Sequence, residues 1–272
     1  MENLSGNVPK ICFFDSGIGG LNLLYESVCK IANAQFYYFA DNFNVPYGAL
    51  SQKEIIEKTD SIFCEINRLN PAAAVIACNT VTAQCAGYLR AKYSFPIIGI
   101  QPAVKPAAAN GRCVVLATPV TAQSDAVKEL VKRFGNGGTQ IIACPDLAAY
   151  VEGNIFDLKN SELAAHLPKI NTDGVVLGCT HYIFIKEYIE KFYGCPVYDG
   201  VEGTVNRLCN VLGNFAHRND TQGKFTPKNG QSVVFVGGDT VKNEQVFNLL
   251  KGNLSLKNTP SKSSGKFFPK NS

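Results

Sequence analysis

The sequence predicts an α/β protein, built as two pseudo-symmetric parallel-sheet α/β domains that face one another across a cleft. Two observations carry this. Short apolar runs alternate with stretches of helical hydrophobic periodicity along nearly the whole chain, which is the order that builds parallel sheets. The run Val75-Ile76-Ala77-Cys78-Asn79-Thr80 is also echoed about a hundred residues later by Val175-Val176-Leu177-Gly178-Cys179-Thr180-His181. Each is a buried-strand pattern that ends in a thiol followed at once by hydrogen-bonding side chains. Open α/β sheets bind ligands beyond the carboxyl ends of their strands, so both thiols are expected where chemistry happens.

The elements follow in order. Residues 10–14 form a strand, the turn Asp15-Ser16-Gly17-Ile18-Gly19-Gly20 follows, and a helical pattern runs to about Ile31. Residues 35–40 are the second strand and end in the polar loop 41–48. Ser51 with Glu54 is a capping-box signature, and the helix behind it carries Ile55, Ile56, Thr59, Ile62, Phe63 and Ile66 at helical spacing. Strand 73–77, helix 80–92 and strand 97–100 complete the first series. Residues 101–111, with Pro102 and Pro106, are expected to be a crossing point.

The second series repeats the rhythm. It has strand 113–117, a polar turn at 118–123, helix 124–134, strand 140–143, and a loop or short helical piece at 144–154 that holds Glu152. A helix at 162–167, strand 175–177, helix 183–192 and strand 196–198 follow. A helix at 203–214 follows, and a last unit, strand 232–236 with helix 243–250, returns to the first domain. The expected division is 1–100 plus 209–256 as one discontinuous domain and 101–208 as the other, with a disordered tail at 257–272.

Composition excludes several classes. Hydrophobic residues make up 46% and charged residues 18%, which suits a globular core. The net charge of +4 comes largely from five lysines between Lys251 and Lys270, and no basic stripe with interleaved aromatics marks a nucleic-acid face. No apolar run is long enough to span a membrane and residues 1–10 lack a signal-peptide core, so a cytoplasmic protein is expected. Ten cysteines occur without a single C-x-x-C, which disfavours a zinc ribbon or thioredoxin-type site. Cys12, Cys64, Cys85, Cys113 and Cys209 fall in apolar or helical settings and are expected in the core, while His166 and His217 are expected at the surface.

The glycine-rich turn does not make a dinucleotide site, because the third glycine of G-x-G-x-x-G falls on Asn22, and no Gly-Lys-Ser/Thr follows for a P-loop. Its helix N-terminus still offers free N–H groups to an anion such as a carboxylate. Two thiols in two similar units suit a particular task. A thiolate takes a proton from one face of a carbon while a thiol returns one from the other, inverting the centre. An acyl-transfer enzyme has no use for the second thiol.

Four segments, Phe14-Asp15-Ser16-Gly17-Ile18-Gly19-Gly20-Leu21, Val45-Pro46-Tyr47-Gly48, Ala77-Cys78-Asn79-Thr80 and Gly178-Cys179-Thr180-His181-Tyr182, resemble, in order, the signature motifs of the glutamate racemases. These belong to the cofactor-independent aspartate/glutamate racemase superfamily. The resemblance implies two pseudo-symmetric domains with the active site between them, no cofactor and no metal, glutamate as substrate, a homodimer, and D-glutamate made for bacterial peptidoglycan. It implies that Cys78 deprotonates D-glutamate and Cys179 L-glutamate. Asp15 would assist Cys78, and His181 and Glu152 would assist Cys179. Asp15, Ser16, Tyr47, Gly48, Asn79, Thr80, Thr118, Thr121, Thr180 and His181 would hold the substrate. The chain departs from the family pattern at Ile183, where proline is usual, at Val151-Glu152-Gly153, where an acidic doublet is usual, and at Asp41-Asn42-Phe43-Asn44. A racemase for aspartate or another amino acid, and an amino-acid-binding protein without catalysis, are the competing readings.

Overall fold

The computed structural model describes residues 8–213 and 231–252. The lysine-rich tail and His217 lie outside them. Two parallel sheets form. In the first, β1 (Lys10–Asp15), β2 (Gln35–Ala40), β3 (Ala73–Ile76) and β4 (Ile97–Gly99) are joined by β9 (Ser232–Val236) in the order β4-β3-β1-β2-β9. In the second, β5 (Cys113–Ala117), β6 (Gln140–Ala143), β7 (Gly174–Gly178) and β8 (Val197–Tyr198) lie in the order β6-β5-β7-β8.

The two orders share one plan. In each sheet the first strand sends the chain to one side and the third strand returns on the other, so a topological switch point opens beside β1 and β3 and again beside β5 and β7. Crevices at such points are where parallel sheets hold ligands. The central strands are buried throughout, apart from the half-buried Lys10 that opens β1, as their near-continuous apolar runs require.

Helices α1 (Leu21–Lys30), α2 (Gln52–Arg68) and α3 (Asn79–Lys92) clothe the first sheet. Ser51 caps α2 reciprocally: its hydroxyl accepts from the Glu54 N–H at 3.3 Å and its own N–H donates to Glu54 Oε2 at 2.8 Å. The second sheet carries α4 (Val104–Ala108), α5 (Pro119–Gln123), α6 (Asp125–Phe134), α7 (Leu147–Asn154), α8 (Asn160–Leu163) and α9 (Lys186–Tyr193). Helix α10 (Val201–Leu212) packs on α1 and against β3 and β4, and α11 (Thr240–Gly252) packs on α1 and β9.

Several local expectations shift. The polar turn after β5 is the short helix α5, because Pro119 at its first position presets the helical φ. The crossing segment contains α4. The helix expected at 162–167 is α8 plus a 3-10 turn, Ala164–His166, which stops before Pro168. The helix expected from Ile183 is a 3-10 segment, Thr180–Ile185, before α9, since its β-branched and aromatic run is a poor α former. Cys12, Cys85 and Cys113 are buried, but Cys64 is exposed and Cys209 half-buried. Cys64 follows the buried Phe63, and one residue turns about 100° round a helix, onto the outer face.

Candidate active site

Each thiol sits just past the third strand of its sheet. Cys78 is the N-cap of α3 after β3, and Cys179 precedes the 3-10 segment after β7. Both are buried, at 6% and 7% exposure. The two sulfurs therefore occupy equivalent places in the two switch-point crevices, and Cys179 is near enough to raise Cys78 electrostatically.

Around Cys78 the first sheet supplies Asp15 and Ser16. Ser16 Oγ lies 3.7 Å from Cys78 Sγ and donates to Asp15 Oδ1 at 3.3 Å. Asp15 Oδ1 also accepts the Gly17 N–H at 3.1 Å, and Oδ2 accepts the Thr180 hydroxyl at 3.0 Å. Burial raises the Asp15 carboxyl, against the lowering effect of His181, Gly17 and Thr180. Burial and the Asp15 charge push the Cys78 thiol up to about 12, while Ser16 opposes them.

Around Cys179 the second sheet supplies a relay. Cys179 Sγ is 3.7 Å from His181 Nδ1, and His181 Nε2 is 2.7 Å from Glu152 Oε2. Burial alone would lower His181, but its hydrogen bonds to Cys179 and Glu152, and their charges, hold it well above the usual histidine range. Burial alone would raise Glu152. The His181 hydrogen bond and charge, the Ile18 N–H and Lys242 instead hold it down to about 2. Glu152 lies on α7 and is itself buried.

The glycine-rich turn is shaped by this relay. A Cβ on Gly17 would strike the Glu152 carboxylate, and one on Gly19 would strike the Thr180 hydroxyl and the His181 backbone. The Ile18 N–H between them donates to Glu152 Oε2 at 2.9 Å. Thus the turn lets the second sheet's acid and hydroxyl close on the first sheet's backbone.

The remaining expected contacts divide. Asn79 is buried, and its Nδ2 has no protein partner. Thr80, Thr118 and Thr121 come together, with Thr80 Oγ1 at 3.0 Å from Thr118 and 2.9 Å from Thr121, and Gly48 lies against Thr118. Tyr47 is buried in the same cluster as Cys78, and its hydroxyl donates to Asp41 Oδ2 at 2.7 Å.

Two groups at the site were not anticipated. Asn42 Nδ2 donates to Glu152 Oε1 at 3.0 Å, and Lys242 Nζ donates to the same oxygen at 3.1 Å and to the Glu152 carbonyl at 2.6 Å. The departure at Asn42 was visible in the sequence, whereas nothing in the pattern around Lys242 tied it to residues 90 positions away. Two surface cavities, of about 560 and 460 Å³, are lined by neither thiol, and both thiols are buried.

Comparison with known proteins agrees with this geometry. The sequence profile of the Asp/Glu/Hydantoin racemase family matches residues 29–208. A glutamate racemase of Campylobacter curvus (strain 525.92) is 38% identical over 249 residues, covering 85% of this chain and 90% of that one. A glutamate racemase of Clostridium novyi (strain NT) is 40% identical over 212 residues, covering 73% of this chain and 81% of that one. Among solved structures, Escherichia coli glutamate racemase in complex with L-glutamate and the activator UDP-MurNAc-Ala superposes with a TM-score of 0.75 at 26% identity. That superposition covers 89% of this chain and 96% of the other.

Proposed function

This chain belongs to the Asp/Glu/Hydantoin racemase family, and from that membership we propose that it interconverts L- and D-glutamate without a cofactor, supplying D-glutamate to peptidoglycan. The observation that carries the reading is the pair of thiols at equivalent switch points of two similar sheets.

The chemistry follows from an obstacle. An α-proton beside a carboxylate is a very weak acid, so the charge left on carbon must meet preorganised donors in a dry site. We assign the Asn79 amide N–H to a substrate carboxylate and the Thr180 hydroxyl oxygen, as acceptor, to the ammonium, with Thr80, Thr118 and Thr121 behind them. Cys78 takes the α-proton of D-glutamate. The electron pair spreads into the carboxylate, and the Cys179 S–H returns a proton to the opposite face. The reverse direction exchanges the roles.

A thiol held near 12 is reluctant to ionise in these surroundings. The substrate's ammonium supplies the missing cation, and a nearby positive charge favours a thiolate. Asp15 and Ser16 orient Cys78; His181, held by Glu152, trades protons with Cys179.

We further propose residues 1–100 with 209–256, and 101–208, as the two domains. The pairing of β9 with β2, and the packing of α10 on α1, β3 and β4, support a return of the chain to the first sheet. None of the ten cysteines is in a disulfide, which suits a cytoplasmic, reducing setting, and pairing as a homodimer follows the family. Among the described residues no helix is long and apolar enough to cross a membrane.

Incubating the purified protein with L-glutamate in D2O, with nothing added, tests the proposal. D-glutamate should appear and deuterium should enter the α-position. Exchange on L-aspartate but not glutamate would overturn the substrate, and exchange on neither would leave only a binding protein.

A further inference from the structure

The carboxylate of Glu152 is shared between two sets of donors. Oε2 accepts from the Ile18 N–H and meets His181 Nε2, while Oε1 accepts from Asn42 Nδ2 at 3.0 Å and Lys242 Nζ at 3.1 Å. Lys242 also grips the Glu152 carbonyl at 2.6 Å, so it holds both ends of the residue. It comes from α11, the last described helix, and its side chain is 22% exposed against 6% for Glu152. Asn42 in turn is fixed by Asn243, which donates to its Oδ1 at 3.0 Å, and by the Asp239 N–H at 3.1 Å. Thus the unit β9–α11, distant in sequence from both thiols, closes the back of the Glu152–His181–Cys179 relay.

We propose that Lys242 is a positioning residue for this relay, acting through Glu152 to set the orientation and proton affinity of His181. The inference rests on the racemase reading only for its kinetic consequences. A carboxylate saturated by four donors is fixed as an anion and cannot swing away from the imidazole. Its lysine partner also offsets part of its charge, so the carboxylate holds the imidazolium less tightly than it would alone. The other groups facing His181 are Cys179 on its own segment, Glu152 from α7 and the Asp15 charge from β1. Replacing Lys242 changes no residue among these, and its bonds toward them are those to Glu152, so its effect on His181 passes through that carboxylate.

Three variants separate charge from hydrogen bonding: Lys242→Met removes both, Lys242→Gln keeps a donor without charge, and Lys242→Arg keeps the charge. The first readout is the ring ¹⁵N titration of His181 in the ligand-free protein, assigned with His181→Gln. There are only three histidines to resolve. His181 should hold its proton to higher pH in Lys242→Met and Lys242→Gln and return toward the parent in Lys242→Arg. The second is glutamate racemisation, where kcat should fall by about tenfold in Lys242→Met with a smaller change in KM, and recover in part in Lys242→Arg.

If Lys242→Met does not fold, the Gln and Arg pair decides the matter. An unchanged His181 titration in Lys242→Gln overturns the proposal. So does a kcat loss in Lys242→Arg equal to that of Lys242→Met. A parent protein that racemises nothing, yet shows the titration shift, refutes the activity and leaves the role of Lys242 standing.

Discussion

Thr180 Oγ1 donates to Asp15 Oδ2 across 3.0 Å, tying the turn after β7 to the end of β1. Both residues are buried, at 1% and 0% exposure, so the bond is shielded from water. It joins the two halves of the site directly: Asp15 leads through Ser16 to Cys78, and Thr180 stands between Cys179 and His181.

Thr180→Val keeps the shape and removes the donor. The buried Asp15 oxygen loses a partner, which should cost about 1–3 kcal/mol in urea unfolding. Racemisation should fall with it. Unaltered stability would mean that Asp15 finds another donor.

Removing either thiol should cut racemisation by about 10²–10⁴-fold while leaving half the chemistry visible. The enantiomers have equal free energy in solution, so kcat/KM must stay equal in the two directions for every variant. Proton NMR in D2O resolves what kinetics cannot. Cys179→Ala should exchange the α-proton of D-glutamate without inverting it, and Cys78→Ala that of L-glutamate. Inversion at the parent rate in either variant would end the two-thiol scheme.

Glu152 and His181 give the protein a signed dependence on pH. Glu152 is held at about 2 against an ordinary 4.5, so its stabilisation is complete above about pH 4.5 and is lost as pH falls through about 2. His181 is raised above 6.5, so its share is complete below that value and is lost as pH rises through its elevated folded value. Glu152→Gln should destabilise the protein by about 3 kcal/mol at pH 6 in urea unfolding. The gap to the parent should narrow at pH 3, and a constant gap would assign the loss to packing.

Two glycine substitutions should part company. Gly19→Ala drives a methyl into Thr180 and should cost about 1–3 kcal/mol together with activity. Gly87→Ala, inside α3 with nothing within 4 Å of a new Cβ, should raise stability by about 0.5–1 kcal/mol and leave turnover unchanged. Thermal unfolding and an activity assay check both.

The sequence made the strands and thiols legible because short-range signals encode them. Buried parallel strands need unbroken apolar runs, and a polar group right after one marks a strand end. Ser51 and Glu54 announce their cap within four residues. What stayed hidden depends on separation. Nothing local to Lys242 reports that it will meet Glu152, and Tyr47 beside Gly48 gives no sign that its hydroxyl turns to Asp41. Cys64 was misplaced because one residue along a helix changes the face, a distinction that composition does not carry.

The pairing of β9 with β2 has a consequence for how the protein comes to life on the ribosome. By the time residue 212 has emerged, both sulfurs, the imidazole and its carboxylate have been synthesised, but the outer edge of β2 still lacks its neighbour. An open strand edge bearing Phe36, Tyr38 and Phe39 invites pairing with other chains. Nascent protein therefore passes through an interval in which it is chemically equipped yet adhesive, and the arrival of β9 ends that interval while α11 delivers the last hand on Glu152.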